Sequence, residues 1–404
     1  MRNVVITGVG IETPMGNTLD EVRECYLRGQ SVVTSFPQGT SDKPRAASWI
    51  QRDVNAGLPT SLVKMIDRSV VLALHASDRV MADAGLAAGS FDPYRIGVQI
   101  GCGVGGVESM YTTHQNLALK DHMGPFAILK QLPNAPGSHI SIRHGIKGET
   151  TVHTVACSSA ASALGGAFRM IRHGYLDMCI AGGSEAPLGE SLVRAWEAMR
   201  VLARVDPESP QTTCRPFSKD RTGVVLGEGA ALYMLESEEH AKARGARIYA
   251  TIAGYGAASD ASHITLPDQA GQVAAMRAVL ADAKMSPDDI GYVNAHGTAT
   301  TQGDLIETRS TREVFGSRAD QVPISSTKSF HGHLLGGSGS IEMLSLLVAL
   351  NDGVLAPTVN LGEADPECDL DYVPNQARTG VKIRAAMNNS FAFGGSNSCM
   401  ILTN

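Results

Sequence analysis

Cys157 is the residue of this 404-residue chain whose surroundings best suit a nucleophile. The β-like residues 151–156 precede it, and the small residues that follow predict a helix, so Cys157 lies at a strand-to-helix turn. Free backbone N–H groups and the positive end of a helix dipole favour the reactive thiolate at such a turn. The alternative interpretation is a plain buried cysteine, which is common for this residue type.

Two histidines that are each adjacent to a glycine support the interpretation of Cys157 as a nucleophile. His296 lies in residues 294–300 and His333 in residues 328–336, each at the end of a predicted strand. Side chains at strand ends project into a cleft that several strands share. A single histidine is usually a structural residue, but two at matching places, with Cys157 at a third, indicate catalysis.

The elements that position these residues occur twice along the chain. Residues 4–10 and 248–256 are β-rich openings, and each is followed by a helix, a strand and a loop with glycine. A helix of small residues then follows Cys157, and another follows His333. Alternating strands and helices in two similar halves predict α/β layers. We place a half with the cysteine at residues 1–245 and a half with both histidines at residues 246–404.

Composition excludes several classes of function. Hydrophobic residues make up 43% of the chain and charged residues 18%, which is typical of a globular protein. The formal charge is -6 without a basic block, so we expect no nucleic-acid partner. No run of about 18 apolar residues is present to span a bilayer, and residues 4–9 are too short for a signal-peptide core, so we expect a cytoplasmic protein. Seven cysteines without a C-x-x-C pair predict neither disulfides nor a metal site.

Taken together, these segments resemble the β-ketoacyl-[acyl carrier protein] synthases of the thiolase-like superfamily, in particular the elongating type II ketosynthases. The resemblance covers essentially the whole chain, in motifs at residues 4–10, 101–106, 156–157, 181–185, 215–220, 226–229, 294–300, 328–336 and 389–397. It implies an α/β fold, the five-layered αβαβα sandwich of two duplicated halves. It also implies an acyltransferase for decarboxylative Claisen condensation of an enzyme-bound acyl group with malonyl-[acyl carrier protein].

The resemblance implies a role for each residue of the site. Cys157 takes the acyl group from the phosphopantetheine thioester of a carrier protein. His296 and His333 donate hydrogen bonds to the enolate that forms when the malonyl group loses carbon dioxide. Backbone N–H groups of Cys157 and Phe393 bind the tetrahedral oxyanion, and Phe393 gates the acyl pocket. The other implied positions are Lys328, which holds a histidine, Glu342 and Asp304 in support, Thr298 and Thr300 on the pantetheine arm, and Val104 in the acyl pocket.

The implied partners are an acyl carrier protein and a second subunit. That subunit completes either a homodimer or a heterodimer of ketosynthase and chain-length factor. The carrier is acidic, so a basic rim is expected, and Lys64 and Arg204 align with such positions. No cofactor other than the phosphopantetheine of the carrier is implied.

Two positions depart from the family pattern. Ala392 stands between the two phenylalanines of the C-terminal loop, where many relatives have glycine, which predicts a loop with restricted backbone freedom. His331 stands where threonine is frequent and adds a third imidazole near the site. The sequence does not assign it a role.

Other functions stay open at this point. Residues 101–106 satisfy G-x-G-x-x-G after a strand, with Asp121 about twenty residues on, which is the pattern of a nicotinamide-dependent oxidoreductase. That hypothesis leaves Cys157 and both histidines unexplained. The second alternative is a subunit of a heterodimer, and the retained nucleophile favours the catalytic subunit of such a pair. Fatty-acid synthesis and specialised polyketide or polyene synthesis are both compatible with the residues.

Overall fold

The computed structural model describes residues 1–36, 43–87 and 89–404. The strands in these ranges are β1 (Val4–Glu12), β2 (Thr34–Ser35), β3 (Ala46–Ser48), β4 (Ile96–Gly101), β5 (Thr150–His153), β6 (Met178–Glu185), β7 (Leu226–Gly227), β8 (Gly229–Ser237), β9 (Ala250–Ser259), β10 (Tyr292–Asn294), β11 (Ile324–Ser325), β12 (Ala385–Phe391) and β13 (Ser396–Thr403). The helices are α1 (Leu19–Arg28), α2 (Thr60–Val63), α3 (Arg68–Asp83), α4 (Val107–Lys120), α5 (Ala127–Gln131), α6 (Ala135–His144), α7 (Ser159–Arg172), α8 (Glu190–Ala198), α9 (Glu238–Ala243), α10 (Gln269–Ala283), α11 (Thr301–Phe315), α12 (Lys328–His331) and α13 (Ser338–Asp352).

The main sheet repeats one strand order on both sides of its centre. Within the described ranges its order is β11-β10-β12-β13-β9-β1-β8-β6-β4-β5. The centre is the antiparallel pair of β1 and β9, with Val4 opposite Ile252. Outward from it, one side runs β1, β8, β6, β4, β5 and the other β9, β13, β12, β10, β11, so both sides connect their strands in the same way.

Helices divide the molecule into five layers. Helices α7 and α13 contact each other and strands of both sheet halves, so they lie between the halves. Helices α3 and α6 cover the outer face of the first half, and α10 covers the outer face of the second. This arrangement confirms the predicted αβαβα sandwich.

Small residues allow the central layer to pack this closely. A Cβ atom on Gly165 of α7 would lie 2.4 Å from the ring of Tyr255, and one on Gly339 of α13 would lie 3.0 Å from the backbone nitrogen of Ala161. Every residue of α13 from Ser338 to Leu350 is buried. The small-residue helices predicted from the sequence are therefore interior. The second begins later than expected, because a short 3-10 turn occupies Leu335–Gly337.

No helix in the described part of the chain combines the length and the apolar character that crossing a membrane requires.

Candidate active site

Cys157 lies at a strained turn between β5 and α7. The preceding residue, Ala156, has φ +47°, a left-handed conformation that costs a non-glycine residue about 1–3 kcal/mol. Ser159 stabilises the turn, because its hydroxyl accepts from the N–H of Val155 at 2.8 Å and donates to the carbonyl of Ala156 at 2.7 Å. Strain that the surroundings maintain is characteristic of functional turns.

His333 contacts the sulfur of Cys157 directly. Its Nε2 lies 3.0 Å from Sγ, and its Nδ1 lies 2.7 Å from the hydroxyl of Ser338. That hydroxyl already accepts the N–H of Leu334 at 2.9 Å, so its own proton is free for Nδ1. Donation of this proton to Nδ1 gives both the hydroxyl and the Leu334 N–H a partner, and it leaves an N–H on Nε2, facing the sulfur.

Lys328 fixes the tautomer of His296. Its ammonium lies 3.3 Å from Nδ1 and 2.5 Å from the carbonyl oxygen of His296, and it forms a buried ion pair with Glu342 of α13. An ammonium group only donates, so Nδ1 is the acceptor and the ring proton is on Nε2. The ring of His296 is nearly perpendicular to that of His333, with centroids 5.4 Å apart.

Burial sets the charge of these groups. It lowers the pKa of both His296 and His333 well below 6.5, and Lys328 lowers both further, so both rings are neutral. Burial also raises the pKa of Cys157 to about 11, against the opposing effects of Lys328 and of the backbone N–H groups of Phe393 and Cys157. The thiolate expected from the helix terminus is therefore not the resting form, because desolvation outweighs these favourable contacts.

The C-terminal loop brings a main-chain donor to the sulfur. The backbone N–H groups of Phe393 and of Cys157 itself both act to lower the pKa of the Cys157 thiol, so they lie near the sulfur. Ala392 has φ −121° and ψ 154°, an extended conformation open to any residue, and the left-handed positions are Gly394 and Gly395. Ala392 therefore adopts its conformation without strain, and the reduced backbone freedom of the loop stays a prediction. The ring of Phe393 stacks on Trp196 at 5.9 Å between centroids.

Cys157, His296 and His333 line one cavity of about 430 Å³. Thr298 and Thr300 line it as well, with their hydroxyls 3.0 Å apart, and Thr300 also caps α11. The sulfur and the nearest ring nitrogens lie within 4.8 Å of one another, a spacing that a metal ion could bridge, although the ammonium of Lys328 opposes a further cation there.

The N-terminal and C-terminal domains of the β-ketoacyl synthase family match residues 1–241 and 249–362. The chain belongs to this family. It is 41% identical to "Nodulation protein E" of Rhizobium sp. (strain N33) and 37% identical to "3-oxoacyl-[acyl-carrier-protein] synthase 2" of Staphylococcus aureus (strain COL). Each match covers 99% of this chain and 98% of the relative.

Solved ketosynthases have the same fold. A β-ketoacyl synthase from Burkholderia phymatum STM815 matches with a TM-score of 0.92 at 34% identity and covers both chains fully. A ketosynthase solved with its type II acyl-carrier protein and a hexaketide matches with a TM-score of 0.92 at 30% identity, over 100% of this chain and 99% of the other. The predicted family and its carbon–carbon bond-forming acyltransferase activity are confirmed.

The supporting residues of this ketosynthase hold loops. Asp304 is buried in α11 and accepts the N–H groups of Phe217 at 2.7 Å and Ala299 at 3.1 Å, and its burial raises its pKa to about 6. Glu307, one turn further on, accepts the N–H groups of His296 and Gly297, each at 2.8 Å. Sequence reasoning missed Glu307. The spacing of Asp304, Glu307 and Thr308 on one buried helix face is the signal that identifies it.

Several of the positions named from the sequence are not among the residues that line the cavity. Val104 packs in an apolar cluster with Leu188 and Leu335 and is not among the residues that line the cavity. Lys64 and Arg204 do not line it either, whereas Arg200 does. His331 is buried outside the cavity lining, between Thr327 and Gly332.

Two backbone N–H groups of the glycine loop at residues 101–106 already have an acceptor within the protein. The N–H groups of Gly103 and Val104 donate to the buried carboxylate of Glu185. A Cβ on Gly101 would lie 2.2 Å from the backbone nitrogen of Ala160, so that glycine serves close packing. With these donors used internally, the loop does not offer the pyrophosphate site of an oxidoreductase.

Proposed function

We propose that this ketosynthase condenses a Cys157-bound acyl group with malonyl-[acyl carrier protein] by the following steps. The sulfur of Cys157 attacks the acyl thioester, and the phosphopantetheine thiol leaves with a proton. The malonyl thioester then loses carbon dioxide, and the electron pair of the broken bond forms an enolate. The enolate carbon attacks the acyl-Cys157 carbonyl, and collapse of the tetrahedral intermediate expels the Cys157 thiolate, which takes up a proton from solvent, and releases β-ketoacyl carrier.

One observation supports this mechanism above the others. His296 and His333 are neutral rings that both carry a proton on Nε2, and both line the cavity of Cys157. Each neutral ring can donate its Nε2–H to the negatively charged oxygen of a thioester enolate and so stabilise it. Removal of one oxyanion donor typically costs about 2.7–4 kcal/mol of transition-state stabilisation.

The main chain supplies the second donor pair. The N–H groups of Cys157 and Phe393 lie near the sulfur, beside which the acyl oxygen of a tetrahedral intermediate would carry its negative charge. Thr298 and Thr300 lie on the cavity wall and suit the amide groups of a pantetheine arm. These placements support the substrate-binding roles, and Lys328 is assigned to hold His296.

Solved relatives support substrates that are attached to a carrier protein. One structural neighbour is a complex of a ketosynthase with its acyl-carrier protein, and another is the ishigamide ketosynthase/chain length factor, with a TM-score of 0.92. We therefore propose phosphopantetheine on a carrier as the only attached group that the reaction needs. Seven free cysteines, all buried, suit a reducing cytoplasm.

A heterodimer is the second candidate. Neighbours that pair a ketosynthase with a chain length factor favour it, since they match this chain over its full length. Relatives named for nodulation and for 3-oxoacyl synthesis are similarly distant, at 41% and 37% identity, so the product pathway is not assigned.

Intact-protein mass spectrometry after incubation with a series of acyl-carrier proteins tests the proposal. Wild type and the control Cys25→Ala, which changes a buried cysteine of α1, should each gain one acyl group, and Cys157→Ala should gain none. Acylation of folded Cys157→Ala would refute the nucleophile. Absence of acylation in all three folded proteins would favour a subunit that needs its partner.

A further inference from the structure

His331 is a buried imidazole without a role in the steps above. It ends the short helix α12, two residues before His333, and its relative exposure is 0%. Both ring nitrogens have partners. Nδ1 lies 2.8 Å from the carbonyl oxygen of Gly332, and Nε2 lies 3.1 Å from the hydroxyl of Thr327.

These partners assign the protons of the ring. A carbonyl oxygen only accepts, so Nδ1 carries a proton and donates it to Gly332. Burial, with a smaller effect of Lys328, lowers the pKa of His331 to about 3, so the ring is neutral and its unprotonated Nε2 is an acceptor that faces the hydroxyl of Thr327. The Oδ1 atom of Asn294 lies 3.2 Å from the same hydroxyl and competes for its proton, and it also accepts the backbone N–H of Thr327, whose nitrogen is 3.4 Å away.

The Gly332 carbonyl belongs to the peptide group that leads into His333. Gly332 has φ 64° and ψ −164°, a combination that glycine alone adopts readily. The N–H of the same peptide group donates to the carbonyl of Val225 at 2.7 Å. His331 and Val225 thus hold the two ends of one peptide plane, and this plane sets the position of the His333 backbone.

We propose that His331 is a positioning residue that fixes this peptide plane and thereby keeps Nε2 of His333 3.0 Å from the sulfur of Cys157. The inference rests on the proposed function, in which His333 donates to the enolate. Without the imidazole donor, the Gly332 carbonyl loses its partner and only the contact of the His333 N–H with Val225 holds the peptide plane. A displacement of about 1 Å at a reacting group costs on the order of a hundredfold in rate.

Two substitutions separate the hydrogen bond from the volume of the side chain. His331→Asn retains an N–H donor near the position of Nδ1, and His331→Leu removes it while filling the space. We expect His331→Leu to lower kcat for condensation at least tenfold, with KM for malonyl-carrier within about twofold, and His331→Asn to stay within about threefold of wild type. Thermal unfolding checks that both variants are folded.

Two results would overturn the proposal. Wild-type kcat in His331→Leu would show that the donor is not needed. Equal loss of kcat in both variants would show that an N–H donor at this position does not preserve the rate.

Nitrogen NMR of the histidine-labelled protein tests the proton assignment without any substrate. The resonance that disappears in His331→Asn should report a neutral Nδ1–H ring that does not titrate between about pH 5.5 and 8. A titrating ring or an Nε2–H ring refutes the assignment. The expected spectrum from a protein that fails to condense would refute the proposed function instead.

Discussion

The substitution Glu342→Gln should destabilise the protein strongly, because Lys328 would then be a buried cation without its counter-charge. Both side chains of the Lys328–Glu342 pair are 1% exposed. Glu342→Gln keeps the shape and removes the charge, and breaking a buried pair from one side costs about 3–5 kcal/mol. For a chain of this length, that loss lowers Tm by about 4–6 °C, given an unfolding entropy of about 2.1 cal/mol/K per residue.

The assay compares three variants by thermal and urea unfolding at one protein concentration. The double variant Lys328→Met with Glu342→Leu removes both charges and should recover most of the stability, since apolar replacements of a buried pair are often neutral or stabilising by about 1–4 kcal/mol. The control is Glu367→Gln, which breaks the exposed pair with Arg309, and it should change stability by less than about 1 kcal/mol.

Two results would refute this reasoning. A loss below about 1 kcal/mol in Glu342→Gln would mean that the ammonium is not desolvated as its burial indicates. A double variant no more stable than Glu342→Gln would mean that the cost does not come from the unpaired charge. The double variant should still lose malonyl decarboxylation, because nothing then donates to Nδ1 of His296 and enforces its Nε2–H tautomer.

Two further predictions concern the nucleophile. Alkylation of Cys157 by iodoacetamide should accelerate continuously from about pH 7 to 10, because the pKa of about 11 leaves the thiolate fraction rising throughout this range, and a plateau below about pH 8 would contradict it. Ala156→Val should lower the free energy of unfolding by about 1–3 kcal/mol, since a β-branched residue fits φ +47° poorly. Urea unfolding checks this, and unchanged stability would show that the turn relaxes.

The sequence predicted those features that local patterns encode. Cys157, His296 and His333 each follow a strand and stand beside small residues, and these signals repeat in both halves of the chain. The sequence repeat predicted that the two halves are built alike, but it did not give the order of the strands. Both halves of the sheet do share one strand order. The division into residues 1–245 and 246–404 stays a prediction, with its boundary between α9 and β9.

Features that depend on contacts between distant segments were not predictable. Ser338 lies five residues after His333, but its function depends on its hydroxyl meeting Nδ1 across a helix start. Glu185 ends a strand, and only the fold shows that its carboxylate accepts the N–H of Gly103 in the glycine loop and that of Gly336 in the turn after His333. Burial of Cys157 likewise decides its pKa, and no local pattern reports burial by distant segments.

The positions of the ring protons explain the different roles of the three histidines. Lys328 can only donate, so it places the His296 proton on Nε2, and the hydroxyl of Ser338, which accepts the Leu334 N–H, donates to Nδ1 and leaves the His333 proton on Nε2. The third imidazole, His331, faces a carbonyl instead and carries its proton on Nδ1. Partners that differ only in whether they donate or accept thus make two rings Nε2–H donors on the cavity wall and the third a support of the backbone. A reaction that develops negative charge on a thioester oxygen needs the first arrangement, and the second keeps one of those donors in place.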